Sequence, residues 1–117
     1  MKKFLVLYHS QAALSGVPVS EMFAKSTPEQ MAAGMAAWQA WHKKSGSAVT
    51  DLGAPLGNAT TLEAGSSAPS KTSITGYTFL QAASLEDAVS LMQDHPHFHT
   101  PGGASVQILE CIPMPGM

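Results

Sequence analysis

Apolar residues fall into short bursts of β-type spacing separated by two segments of helical spacing. Residues 3–9 are a short apolar run rich in β-formers and predict a first strand. Residues 10–26, with Gly16 and Pro18, predict a long loop. Thr27 then stands as an N-cap, Pro28 takes the first helical position, and Gln30 completes a T-x-x-Q capping box. The helix is expected to run to about Ser45, with Gly46 as its stop. Met31, Met35, Trp38 and His42 follow i, i+4, i+7, i+11 spacing and predict one buried stripe, flanked by Trp41, with Lys43 and Lys44 pointing away. Residues 48–52 predict a short second strand. Residues 53–72 are rich in Gly, Ala, Ser, Thr and Pro, and predict a long mobile hairpin loop of the kind that often serves as a lid. Residues 73–82 predict a third strand, with Ile74 and Leu80 on one side and Tyr77 and Phe79 on the other. Ser84 caps a second helix from Leu85 to about Gln93, with Leu85, Ala88, Val89 and Met92 as its apolar face. The segment Asp94–His99 leads out of that helix, and residues 104–112 predict the last strand.

This βαββαβ order predicts a single α+β domain over residues 1–117, ferredoxin-like, with two helices on one face of an antiparallel sheet. The other face needs a cover. The first strand is apolar on both sides, with Phe4, Val6 and Tyr8 against Leu5 and Leu7. A monomer would therefore expose one apolar set, and pairing of two sheets in a homodimer would bury it.

Composition narrows the partners. The chain has 117 residues, 44% hydrophobic and 12% charged, which is the signature of a folded domain. A net charge of −2 gives no broad attraction to nucleic acid or to an anionic membrane. All the cations are lysine, so the bidentate arginine fork for carboxylates and phosphates is absent, and an anionic ligand would rely on lysine, histidine or a helix N-terminus. Cys111 is the single cysteine, which rules out an intrachain disulfide and suits a reducing, cytoplasmic setting. The start, Lys2 to Leu7, superficially resembles a signal peptide, but Tyr8, His9 and Ser10 interrupt the apolar run too early. No stretch approaches the ~20 apolar residues of a membrane helix.

Five histidines carry most of the candidate chemistry. His95, His97 and His99 alternate as metal ligands on a strand do, but Pro96 and Pro101 break the regularity and no cysteine or carboxylate completes a ligand spacing. The expectation is a polar turn without metal or cofactor, in which His95 and His97 face a pocket. His9, ending the first strand beside a long loop, is expected to share a cleft with His95, and Tyr77 to donate its hydroxyl there. These three are the candidate catalytic groups. His97, Trp38, His42 and Asp51 are the candidate ligand contacts, although Trp38 and Trp41 also suit core packing, His42 a half-buried structural place, and Asp51 a turn. No Ser-His-Asp order, phosphate loop or dinucleotide fingerprint is present.

The first-strand start, the helix Met31–Trp41, the turn Asp51-Leu52-Gly53-Ala54-Pro55-Leu56, the strand Ile74-Thr75-Gly76-Tyr77, the segment His95-Pro96-His97 and the ending Met114-Pro115-Gly116-Met117 together resemble YCII-related (DGPF-like) proteins. The resemblance implies a ferredoxin-like domain paired into a dimeric α+β barrel, usually bacterial. It also implies an acid–base pair: a histidine about three turns before the glycine ending the first helix, and an aspartate just before a proline after the second. Here Met35 occupies the histidine position, and His95 precedes Pro96 with Asp94 one place earlier. That pair is not carried over. Two functions stay open: binding of a small organic ligand at the sheet or dimer interface, and a cofactor-independent enzyme using histidine as general acid–base.

Overall fold

The computed structural model describes residues 1–16, 21, 24–100 and 103–116; Pro18, Pro101 and Met117, used above, lie outside the described residues. Strands β1 (Lys2–Ser10), β2 (Val49–Asp51), β5 (Ile74–Ala82) and β6 (Ala104–Glu110) form an antiparallel sheet in the order β2-β5-β1-β6. Strands β3 (Thr60–Glu63) and β4 (Ser66–Pro69) form a separate two-stranded sheet. The helices are α1 (Gln11–Leu14), α2 (Pro28–Ser45) and α3 (Leu85–Met92), with single 3-10 turns at Gly46–Ala48 and Pro96–His99. The chain passes through α2 between β1 and β2, and through α3 between β5 and β6, so each helix bridges strands that are not sheet neighbours. This is an α+β architecture compatible with the ferredoxin-like plan. Among the described residues no helix is long and apolar enough to cross a membrane.

The capping chemistry of α2 is as expected. Thr27 Oγ1 accepts from Gln30 N at 3.1 Å, Gln30 Oε1 accepts from Thr27 N at 2.9 Å, and Gly46 ends the helix with φ 59°. Its buried face is not. Met31 and Met35 are 39% and 60% exposed, and only Trp41 is fully buried, with Trp38 packed beside it. The reason is where the helix is anchored: the two indoles of its C-terminal half fill the space over the sheet, and Trp41 Nε1 donates to the Leu91 carbonyl at 3.0 Å. The methionines lie on turns before that anchor. On α3 half of the expected face is buried. Ala88 and Met92 are buried, whereas Leu85 and Val89 are exposed and line a shallow groove of about 280 Å³ with Phe98 and Ile108. Ser84 caps this helix as expected, accepting from Asp87 N at 3.2 Å.

Two loops are more regular than their composition suggests. Residues 11–14 are helical. The Gly/Ser-rich stretch 53–72 contains the β3–β4 hairpin, turned at Gly65 with φ 86°, although every residue of both strands is exposed. Backbone pairing requires no apolar side chain, which is why composition concealed it.

Strand alternation divides the main sheet into two faces. Phe4, Val6 and Tyr8 on β1 and Leu80 and Ala82 on β5 join Trp41, Ala88 and Met92 in the core beneath the helices. On the reverse face Leu5 sits between Phe79 and Leu109, and Leu7 between Tyr77 and Gln107. Tyr77 and Phe79 pack edge-on with ring centres 5.8 Å apart, and Lys3 Nζ lies 4.5 Å over the Phe79 ring.

Candidate functional site

The most organised polar cluster is buried where the 3-10 turn after α3 meets β1. His95 has no accessible surface and His97 is 6% exposed. Pro96, fixed near helical φ, starts the turn, and His95 acts as its N-cap: its Nδ1 accepts from His97 N at 3.0 Å. That bond leaves Nδ1 unprotonated, so in the neutral ring Nε2 carries the hydrogen. Nε2–H points at Tyr8 Oη, 3.3 Å away. Tyr8 in turn lies 2.7 Å from Thr78 Oγ1, whose own hydrogen is directed to the Leu52 carbonyl at 2.8 Å. Donors and acceptors therefore run one way, from His95 through Tyr8 and Thr78 to Leu52.

The turn after β2 holds the far end of this chain. Asp51 Oδ1 accepts from Gly53 N at 2.9 Å, the turn role anticipated for Asp51. Gly53 has φ 79°, and a Cβ there would lie 1.8 Å from the Tyr77 carbonyl oxygen, so this backbone approach admits only glycine. Gly76, opposite Tyr8 in register, makes room for its ring: a Cβ there would stand 3.3 Å from Tyr8 Cδ2.

Aromatic rings close around His95. Trp38, Trp41 and Tyr8 lie 4.3, 4.5 and 5.0 Å from it between ring centres. This desolvation, together with the nearby His97 and against the opposing influence of Asp94, lowers the His95 pKa to about 4. Burial likewise pushes the Tyr8 phenol up to about 12, despite the Thr78 hydrogen bond. At neutral pH both are uncharged. With Nδ1 accepting, Nε2 donating and no accessible surface, the His95 ring holds the turn onto the sheet. Asp94 faces outward instead, paired with Lys44, and that pairing first of all lowers its pKa.

The expected cleft joining His95, His9 and Tyr77 does not form within the chain. His9 follows Tyr8 by one residue on β1 and therefore projects from the reverse face, where Tyr77 also lies. Only the His9 backbone reaches the histidine turn, its carbonyl accepting from His97 Nε2 at 2.9 Å. Of the remaining candidates, Trp38 and His97 belong to the buried cluster, His42 is half-buried near the end of α2, and Asp51 is exposed at its turn. His99 is exposed, and among the described residues no three His, Cys, Asp or Glu side chains gather as a metal site.

His9 has partners of its own. Its Nδ1 lies 2.7 Å from Ser73 Oγ and its Nε2 3.0 Å from Gln107 Oε1. Ser73, Gln107, Tyr8 and Thr78 were not singled out from the sequence. Tyr8 had a signal, since alternation placed it on the same face as Phe4 and Val6. Ser73 and Gln107 had none, being 64 and 98 residues from His9 and joined to it only by strand pairing. The chain matches no protein-family model and no curated protein.

Proposed function

We propose that the protein is a YCII-related homodimer, cytoplasmic and bacterial, that binds a small organic ligand between two reverse sheet faces paired as a dimeric α+β barrel. The observation that carries this reading is the composition of that face: Leu5, Leu7, Tyr77, Phe79 and Leu109 side by side, with His9 and Gln107 as polar inclusions. Among the described residues, α2 and α3 pack on the opposite side of the sheet. Leu5, Leu7, Tyr77 and Phe79 are already half-buried in the single chain, so each gains on pairing only part of the roughly 1.5–3 kcal/mol that full burial of an exposed apolar side chain gives. Lys3 stacks on Phe79 at the end of this face and Asp51 stands opposite Phe79 in register at its β2 edge, so the charges described there are of opposite sign and lie at its margin. Two such faces bury on the order of 1,200 Å² in total, the lower range of a specific interface. Polar inclusions within an apolar interface then mark where a ligand is held and oriented.

Light scattering at micromolar concentration should report a dimer, and Leu7→Lys should yield a monomer with unchanged circular dichroism, because this face is not part of the monomer core. A monomeric wild-type protein would overturn the assembly. Native mass spectrometry of the purified dimer should then detect a small bound molecule, displaced in His9→Ala.

The second reading, a cofactor-independent enzyme with histidine as general acid–base, is favoured by one contact, His9 Nδ1 to Ser73 Oγ. In that reading His9 is the base. His95 is held in place by its two hydrogen bonds.

A further inference from the structure

We infer that Ser73, His9 and Gln107 form a nucleophilic triad on the reverse sheet face, which acylates on Ser73 and hydrolyses small neutral carboxylic esters. This deepens the ligand-binding reading above and rests on it only for enclosure of the site.

The argument begins with hydrogen positions. With the Gln107 amide oriented as it is, its Oε1, an acceptor only, lies 3.0 Å from His9 Nε2, which donates to it. A neutral His9 then carries no hydrogen on Nδ1, and the 2.7 Å contact to Ser73 Oγ requires the serine hydroxyl to donate. This is the relation of nucleophile, base and orienting group that activates serine, with an amide in the orienting place. The backbone fixes it in three places. Ser10 N donates to the Ser73 carbonyl at 2.7 Å, Thr72 Oγ1 accepts from Ile74 N at 3.1 Å, and the register of β1 on β5 slips between Tyr8 and His9. A bulge of this kind re-aims a side chain that regular pairing would point elsewhere. Behind it, His97 Nε2 grips the His9 carbonyl, so the buried cluster braces the residue that carries the base. His9 and Ser73 are both half-buried and keep accessible surface.

The neighbours define the substrate class. Leu7 is paired with both Gln107 and Tyr77, which sets an apolar floor next to the triad. The apolar part of an ester would lie on it, and neither Leu7 nor Tyr77 offers a charged acid a counter-ion. In the reaction Ser73 Oγ bonds to the ester carbonyl carbon while its proton passes to His9 Nδ1. The tetrahedral adduct collapses, breaking the bond to the alcohol oxygen, which leaves with that proton. Water then gives a proton to His9 and attacks the acyl-serine. The carboxylic acid is released and the proton returns to Ser73. The balance is ester plus water to acid plus alcohol, with no other reactant.

The test uses the 117-residue chain and p-nitrophenyl acetate, a small neutral aryl ester. Nitrophenolate release should exceed the buffer rate, and peptide mapping of the quenched protein should place the acetyl group on Ser73. Ser73→Ala should abolish both. His9→Gln should slow release by ~10²-fold or more, the usual contribution of a general base. Gln107→Leu should lower the rate, whereas Gln107→Glu, which keeps an acceptor oxygen, should restore it. Acetyl found only on lysine or on His9, or release unchanged in Ser73→Ala, overturns the proposal. Should a variant fail to fold, nitrogen NMR of the wild-type protein decides: hydrogen on His9 Nε2 supports the triad and hydrogen on Nδ1 overturns it. A dimer without Ser73 acylation fails this inference alone, and an acylating monomer fails the assembly alone.

Discussion

His95 is the residue at which environment most changes chemistry. Its pKa falls from 6.5 to about 4 because the charged ring would be stripped of water among Tyr8, Trp38 and Trp41. The folded state thus binds fewer protons than the unfolded chain between these values, and stability must rise with pH across that window. The contribution is fully present above about pH 6.5 and is lost as pH falls toward about 4. The full shift bounds the loss at ~3.4 kcal/mol, and local relaxation with water entry brings the expected value to about 2 kcal/mol. Urea midpoints measured from pH 7 to pH 4 should fall accordingly, and His95→Gln, less stable at neutral pH, should flatten this part of the profile. An unchanged profile in the variant would mean that another group governs the acid limb. Gly53 gives the second expectation at this scale. A methyl group 1.8 Å from the Tyr77 carbonyl cannot be accommodated without moving the turn that presents Leu52 O to Thr78. Gly53→Ala should cost on the order of 2 kcal/mol or more in chemical denaturation, and a neutral result would show that the turn relaxes freely.

Elements differ in what holds them. Strands β1 and β5 are paired over eight residue pairs, and their alternate side chains make the core. The hairpin of β3 and β4 is paired through its backbone, with every residue of both strands exposed. Two strands without an apolar face are marginal in water. Amide exchange should therefore be fast from Thr60 to Pro69 and slow in the middle of β1, and comparable protection in both would show that the hairpin packs on another surface. Helices behaved similarly under sequence reading. Caps at Thr27 and Ser84 were legible because they depend on neighbours three residues away. The buried face of α2 was not, because Trp41 finds the Leu91 carbonyl only once both helices lie on the sheet, whereas Ala88 and Met92 of the face expected for α3 are buried.

At the scale of the molecule, one sheet face carries the helices and the other carries Leu5, Leu7, Tyr77, Phe79 and Leu109. The proposed dimer makes a thermodynamic claim as well as a structural one. Association that occurs only in the folded state raises the melting temperature with protein concentration. The thermal midpoint should climb over a hundredfold concentration range in the wild type and stay constant in Leu7→Lys. A concentration-independent midpoint in both would place the wild type as a monomer.

The chain by itself determined its main elements and their order, though not the β3–β4 hairpin or the short helix α1, because periodicity, caps and turns are local and each is written within a few consecutive residues. The four main strands, the two long helices and the apolar character of both sides of β1 were all legible on that basis. It also singled out His9 and His95 and expected them together. His9 and His95 were expected in one cleft, but adjacent strand residues point to opposite faces, and Tyr8 rather than His9 turns toward His95. Only tertiary structure decided that His95 is a neutral, doubly hydrogen-bonded brace and that His9 meets Ser73 and Gln107. Those contacts span most of the chain, and no local pattern encodes them. They exist because β1 is the strand against which both β5 and β6 pair.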